Sequence, residues 1–100
     1  MIELSLIVGF DWDAGNSLKS TEKHTVSQAE AEQIFTDDRL LIVDDVKHSQ
    51  SKARYHAQGR TIAGRLLHVT FTLRSNQALI RVISARDANR KERDLYEQEA

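Results

Sequence analysis

Residues 2–10 place Leu4, Leu6, Val8 and Phe10 in one phase, and Trp12 continues it. A period of two predicts a strand with one buried face. Asp13 can then cap a short helix over about 14–23, with Leu18 facing inward, although Gly15 weakens it. The next start signal is stronger. Ser27-Gln28-Ala29-Glu30 is a capping box, and Val26 is placed to staple against Ala31. Ala31, Ile34 and Phe35 then form one face of a helix over about 28–36, which Asp37-Asp38 stops. The apolar run Leu40 to Val43 predicts a short strand, and residues 46–53 read as loop.

Three further strands are expected over about 54–62, 65–74 and 79–85, with turns marked by Gly64 and by Ser75-Asn76. In the middle one, Leu67, Val69, Phe71 and Leu73 share a face. His68, Thr70, Thr72 and Arg74 share the other, which meets solvent or substrate. The strand from Leu79 is apolar on both faces apart from Arg81 and Ser84, which suits a central position. Ser84 is expected to open a last helix with Asp87 in its first turn and with Leu95 and Tyr96 as apolar contacts. The order β-α-α-β-β-β-β-α, with its grouped hairpins, predicts an α+β fold with a mostly antiparallel sheet packed by helices. One hundred residues without repeat or linker predict a single domain over 1–100.

Composition changes this picture little: 40% apolar and 29% charged residues are ordinary for a globular chain. With no cysteine, disulfides and thiolate metal sites are excluded. The longest apolar stretch, Leu4 to Phe10, is far short of the ~20 residues that span a bilayer. Glu3 precedes it where a secretory leader would carry basic residues, so no membrane association and a cytoplasmic location are expected.

The charge distribution is more informative than the net charge of −1. Residues 1–46 carry ten acids and three bases, residues 47–93 carry eleven bases and two acids, and residues 94–100 carry three acids. Either the basic block forms a face for a polyanion, or it pairs with the acidic half in the fold. Arg74, Arg81, Arg86, Arg90 and Arg93 crowd the final strand and helix. Arg81 and Arg86 are an odd number of residues apart, so on one regular strand they would face opposite sides. With Arg86 already in the helix, Arg86, Arg90 and Arg93 would share a helical face, and the bidentate guanidinium group suits phosphate. Pairing of Arg86 with Asp45, or of Arg93 with Glu97, is the alternative.

No phosphate-binding glycine loop, dinucleotide fingerprint or HExxH zinc motif is present. Asp44-Asp45 with His48 could contribute to a divalent site, but charged loop residues are ordinarily solvated, and neither metal nor cofactor is expected. Lys23-His24 falls at the junction of the first two helices. There it either complements a helix dipole or offers a cation and a proton-transfer group.

The run Arg81-Val82-Ile83-Ser84-Ala85-Arg86-Asp87-Ala88-Asn89-Arg90-Lys91-Glu92-Arg93-Asp94-Leu95-Tyr96 resembles the R-I-I-S-A-R-x-A-x-x-x-E-R-x-x-Y signature of the BrnT toxins. Phe10-Asp11-Trp12-Asp13 resembles the family's F-E-W-D opening, and Lys23-His24 with Val26 and Ser27 its K-H-G-V-S/T segment. His48, Arg54, Gly59, Gly64-Arg65-Leu66-Leu67 and Val69 follow in the same order, so the resemblance covers residues 10–97. Thr25 stands where that family commonly has Gly, which would make a positive φ costly here.

The resemblance implies a RelE-like fold and a metal-independent endoribonuclease that cleaves RNA and inhibits translation. It also implies a cognate BrnA-like ribbon-helix-helix antitoxin as partner, with operator DNA bound only through that antitoxin. On this reading Arg54, Arg81 and Arg86 stabilise the phosphorane, Lys23 holds a phosphate, and His24 or His48 moves protons. Arg74, Arg90 and Arg93 are candidate RNA contacts, and Tyr96 either stacks on a base or packs the last helix.

Overall fold

The computed structural model describes residues 4–16, 25–48 and 52–99, the side chain of His48 excepted. Five strands form one sheet: β1 (Gly9–Phe10), β2 (Leu41–Asp44), β3 (Tyr55–Arg60), β4 (Leu66–Arg74) and β5 (Leu79–Asp87). Their spatial order is β1-β5-β4-β3-β2. The β1–β5 pair is parallel and the other three are antiparallel. Helix α1 (Gln28–Gln33) precedes β2, and helix α2 (Arg90–Glu99) follows β5. Residues 14–16 are helical, and the remainder of the helix expected over 14–23 lies outside the described residues.

Helix α1 begins where its sequence signal places it. The Ser27 hydroxyl accepts from the Glu30 N–H at 3.1 Å, and the Glu30 carboxylate accepts from the Ser27 N–H at 3.1 Å. Val26 and Ala31 on either side of this box are both buried. A 3-10 turn, Ile34–Thr36, extends the helix and carries Ile34 and Phe35 onto the sheet. There they meet Ala57, Leu67, Val69, Phe71, Ile80, Val82 and Ala85, with Phe35 edge-on to both Phe10 and Phe71. Gly59 lets this packing close, because a Cβ there would sit 2.9 Å from the Ile34 carbonyl oxygen.

The first strand is shorter than the periodicity predicts. Leu4–Leu6 forms a 3-10 turn closed by the Ile7 N–H donating to the Leu4 carbonyl. That turn shifts the alternation by one, so Ile7 joins the core while Leu4, Leu6 and Val8 are exposed. Among the described residues of this segment only Gly9 and Phe10 pair as a strand, with Leu79 and Ile80, while the N–H groups of Val8 and Asp11 donate to the carbonyls of Ala78 and Ile80.

The last helix also starts later than expected. Ser84 does not cap it, because β4 keeps pairing with the chain as far as the Leu67–Asp87 pair. Asn89 takes the capping role instead. Its side chain accepts from the Glu92 N–H at 2.8 Å, and the Glu92 carboxylate accepts from the Asn89 N–H at 3.0 Å.

Thr25, just before α1, has a φ of +53°. This left-handed conformation costs a β-branched residue about 1–2 kcal/mol. Its carbonyl, which accepts from Arg65, is kept in any substitution. Thr25→Gly is therefore expected to raise the unfolding free energy by about 0.5–1 kcal/mol after the extra freedom of glycine in the unfolded chain is deducted. Urea titration at neutral pH measures it, and a lower midpoint for the variant would contradict the assignment of strain.

Candidate functional site

One face of the sheet is the core described above. The other is polar: His56 and Gln58 of β3, His68, Thr70 and Thr72 of β4, and Arg81, Ser84 and Arg86 of β5. Strict alternation would set Arg81 and Arg86 on opposite faces. A bulge prevents this. Thr70 pairs with Ser84 and Phe71 with Val82, so Ile83 is an extra residue in β5. Arg81 then lies opposite Thr72 and Arg86 opposite His68, and both arginines belong to the polar face. The two meet on one side with Arg86 still in the strand, so Arg86 does not share a helical face with Arg90 and Arg93.

Each of these guanidinium groups already has an acid. Arg81 contacts Asp13 at 2.8 Å and Asp11 at 3.5 Å, both in the loop after β1. The backbone bond from Asn16, then the bond from Arg81, hold the Asp13 carboxyl below the usual range. The side chain of Asn16 anchors the loop by donating to the carbonyls of Asp11 and Val82 at 3.1 and 2.9 Å. Arg86 forms a two-pronged pair with Glu92 of α2, at 2.7 and 2.8 Å. Burial alone would raise the Glu92 carboxyl, but the bonds from Arg86 and Asn89 outweigh it and hold the group below its ordinary value. Arg65 ties Asp87 to Glu30 at 2.6 and 3.1 Å. Pairing between the acidic and basic halves, one of the two alternatives open in the sequence, thus accounts for Arg65 and Arg81.

Between the arginines and β2 lies a pair of stacked imidazoles. His56 and His68 have ring centroids 4.8 Å apart. His56 meets Asp45 through Nε2 at 3.2 Å and the Thr70 hydroxyl through Nδ1 at 2.8 Å. His68 is 8% exposed. Its Nδ1 stands 3.3 Å from a Glu92 oxygen but lacks hydrogen-bond geometry. Burial is the main cause that lowers its pKa to about 4; Glu92 opposes the shift, while Arg86 and His56 reinforce it. His68 is therefore neutral in the fold at neutral pH. Among the described residues no three His, Asp or Glu side chains converge as metal ligands.

The other expected site residues are dispersed. Arg54 lies immediately before β3, where its carbonyl accepts from the Asp45 N–H at 2.9 Å. Arg74 ends β4, half-buried, with its Nε enclosed. Arg90 and Arg93 are exposed on α2. Tyr96 is corrected as a base-stacking residue. It is 3% exposed, its hydroxyl donates to Asp37 at 2.6 Å, and the Arg60 guanidinium covers its ring at 5.6 Å. It packs α2 onto the sheet and has no free face for a nucleobase. His48 ends the 3-10 turn Val46–His48 beside Asp45. Lys23 and His24 lie outside the described residues.

Sequence reasoning missed His56, Asp45, His68 and Glu92 as one group. The polar phase of β4 already placed His68 and Thr70 together. Bringing His56 to them requires the β3–β4 register, in which His56 pairs with Thr70 and Gln58 with His68. An Asn-x-x-Glu capping signal at residues 89–92 was also present in the sequence.

A mixed five-stranded sheet with few helices and a polar face rich in arginine and histidine defines a small α+β domain. The fold is similar to that of the Brucella abortus ribonuclease toxin BrnT, solved by crystallography. The TM-score is 0.61 at 19% identity, covering 83% of this chain and 99% of that chain. Residues 12–92 match the family described as "Ribonuclease toxin, BrnT, of type II toxin-antitoxin system", and the chain belongs to that family. A comparison with curated proteins gave no match. No helix among the described residues is long and apolar enough to cross a membrane.

Proposed function

We propose that this chain is a metal-independent endoribonuclease that cleaves RNA, thereby inhibits translation in the cytoplasm, and is neutralised by a cognate antitoxin. The observation that carries this reading is the bulge that sets Arg81 and Arg86 on one sheet face, in a chain of a ribonuclease toxin family. RNA brings its own nucleophile, the 2′-hydroxyl, so the protein must chiefly stabilise charge on the phosphorane and move protons. Oriented guanidinium groups can supply about 3–4 kcal/mol per strong contact. Arg54, Arg81 and Arg86 take that role, Lys23 holds a phosphate, and Arg74, Arg90 and Arg93 extend the RNA path. On the family resemblance alone, His24 or His48 moves protons. The antitoxin is a BrnA-like ribbon-helix-helix protein, and operator DNA is reached only through it.

Purified toxin, freed of antitoxin, is expected to cleave single-stranded RNA in EDTA. Cleavage that appears only after Mg²⁺ or Mn²⁺ is added would overturn the metal-independent reading.

A second reading is supported by the ion pairs. Because Arg81 and Arg86 are both engaged by carboxylates, the same face suits a non-catalytic module that binds nucleic acid or its partner by occupancy. Turnover separates the two. Substoichiometric protein degrading excess RNA supports the enzyme, and a salt-sensitive complex with intact RNA supports the binder.

A further inference from the structure

We propose that His56 is the proton-transferring residue of this ribonuclease and that Asp45 positions it. The inference rests on the catalytic reading above and names the base within it. Four observations carry it. His56 is the more open of the two imidazoles, with 26% of its side chain exposed, whereas His68 beneath it is nearly closed. Asp45 is buried and meets Nε2 at 3.2 Å, which fixes the proton on that nitrogen. The lone pair is then on Nδ1, which accepts from the Thr70 hydroxyl at 2.8 Å. This direction is across the sheet toward β5, because Thr70 pairs with Ser84, and Arg81 and Arg86 follow on either side of it in the same face.

A carboxylate, an imidazole and a hydroxyl in series form an arrangement that orients a base. From His56 to the row of arginines is two strand spacings, about 10 Å, a gap that a phosphodiester and the arginine side chains can fill together.

In the reaction the substrate 2′-hydroxyl replaces Thr70 as the donor to Nδ1. Nδ1 takes the 2′-proton as the 2′-oxygen forms its bond to phosphorus. The bond from phosphorus to the 5′-oxygen breaks with its electron pair leaving on that oxygen. The 5′-oxygen takes a proton from water, and the proton on His56 returns to solvent. The products are a 2′,3′-cyclic phosphate and a free 5′-hydroxyl. Thr70, released from the imidazole, is left to donate to a phosphate oxygen.

The test is the pH–rate profile for cleavage of a defined single-stranded RNA by the full chain. Wild type, His56→Asn, His56→Ala, Asp45→Asn and His24→Asn are compared, each with its circular dichroism spectrum. The proposal expects His56→Asn to lose at least about 100-fold in kcat, with KM little changed, and to lose the acidic limb of the profile. Added imidazole should restore part of the rate to His56→Ala but not to wild type. Asp45→Asn should lose less and keep a displaced acidic limb.

Because rescue by imidazole requires a folded cavity and a missing base, it stays informative even if the variants are less stable. Wild type that cleaves RNA while His56→Asn keeps its rate within about threefold, or keeps its acidic limb, overturns this assignment and leaves the ribonuclease reading intact. Loss of that limb in His24→Asn alone does the same. Wild type that leaves RNA intact overturns both.

Discussion

Replacing Glu92 with Ala is expected to lower the unfolding free energy by about 3 kcal/mol, a large share of the roughly 5–15 kcal/mol that holds a domain of this size. Two losses combine. One is the paired charge-assisted bond to Arg86, at 2.7 and 2.8 Å, with Glu92 only 17% exposed. Bonds to a charged group contribute about 1.5–3 kcal/mol each way they are measured, and the partial exposure of Arg86 argues for the lower end. The other is the reciprocal cap with Asn89 that starts α2, which contributes about 1 kcal/mol.

A double-mutant cycle with Arg86→Met separates them. The Arg86 coupling should be close to 2 kcal/mol by urea unfolding at neutral pH, and the cap should remain as a residue in both backgrounds. A single-variant loss below about 1 kcal/mol would place the pair among ordinary surface ion pairs. The same geometry affects any test of Arg86 in function. Arg86→Ala leaves Glu92 half-buried without its partner, so stability must be measured beside activity before a loss of toxicity is assigned to the site.

The fold should also weaken as pH falls below about 6.5, starting above the range where carboxylates titrate. His68 has a folded pKa of about 4 against an ordinary 6.5. Between these values the unfolded chain binds a proton that the fold does not, so stability rises with pH in this window and is lost as pH drops through it. The groups that face His68 are the His56 ring, the Glu92 carboxylate and the Arg86 guanidinium. Discounted for the coupling to Glu92, the loss amounts to about 2 kcal/mol.

Glu30, Asp37 and Glu92 have depressed values, so their contributions are present above the carboxylate range and vanish only at lower pH. Urea midpoints measured between pH 7 and 4.5 should therefore slope in the wild type and flatten in His68→Gln. Equal slopes in the two proteins would remove His68 as the source.

How much of this could be read from the chain depends on the range of the interactions involved. Helix α1 and its staple were legible because Ser27, Glu30, Val26 and Ala31 settle their contacts within five residues. The inward phase of β4 was legible for the same reason: Leu67, Val69 and Phe71 repeat one local pattern, and all three are fully buried. The first strand was not, because one 3-10 turn breaks the alternation and leaves Leu4, Leu6 and Val8 exposed. Ser84 offered a cap signal as good as that of Asn89, and only the distant β4 strand decides between them.

In the site, the arginine block was visible in the charge pattern. The imidazole pair was not, since His56 and His68 meet through the register of a hairpin and Asp45 arrives from a separate loop. The acids that hold Arg81 come from the other end of the chain.

The bulge at Ile83 has one more consequence, for the size of ligand that the polar face can engage. Thr72 and His68, the β4 residues opposite the two arginines, are separated by four residue steps, or about 14 Å along the strand. One guanidinium is held by an acid of the N-terminal loop and the other by an acid of α2. The scissile phosphate takes both only when they leave these acids and swing in over it. A chain of phosphates can meet both where they stand, so the face favours a polymer over a mononucleotide by length before any base is read.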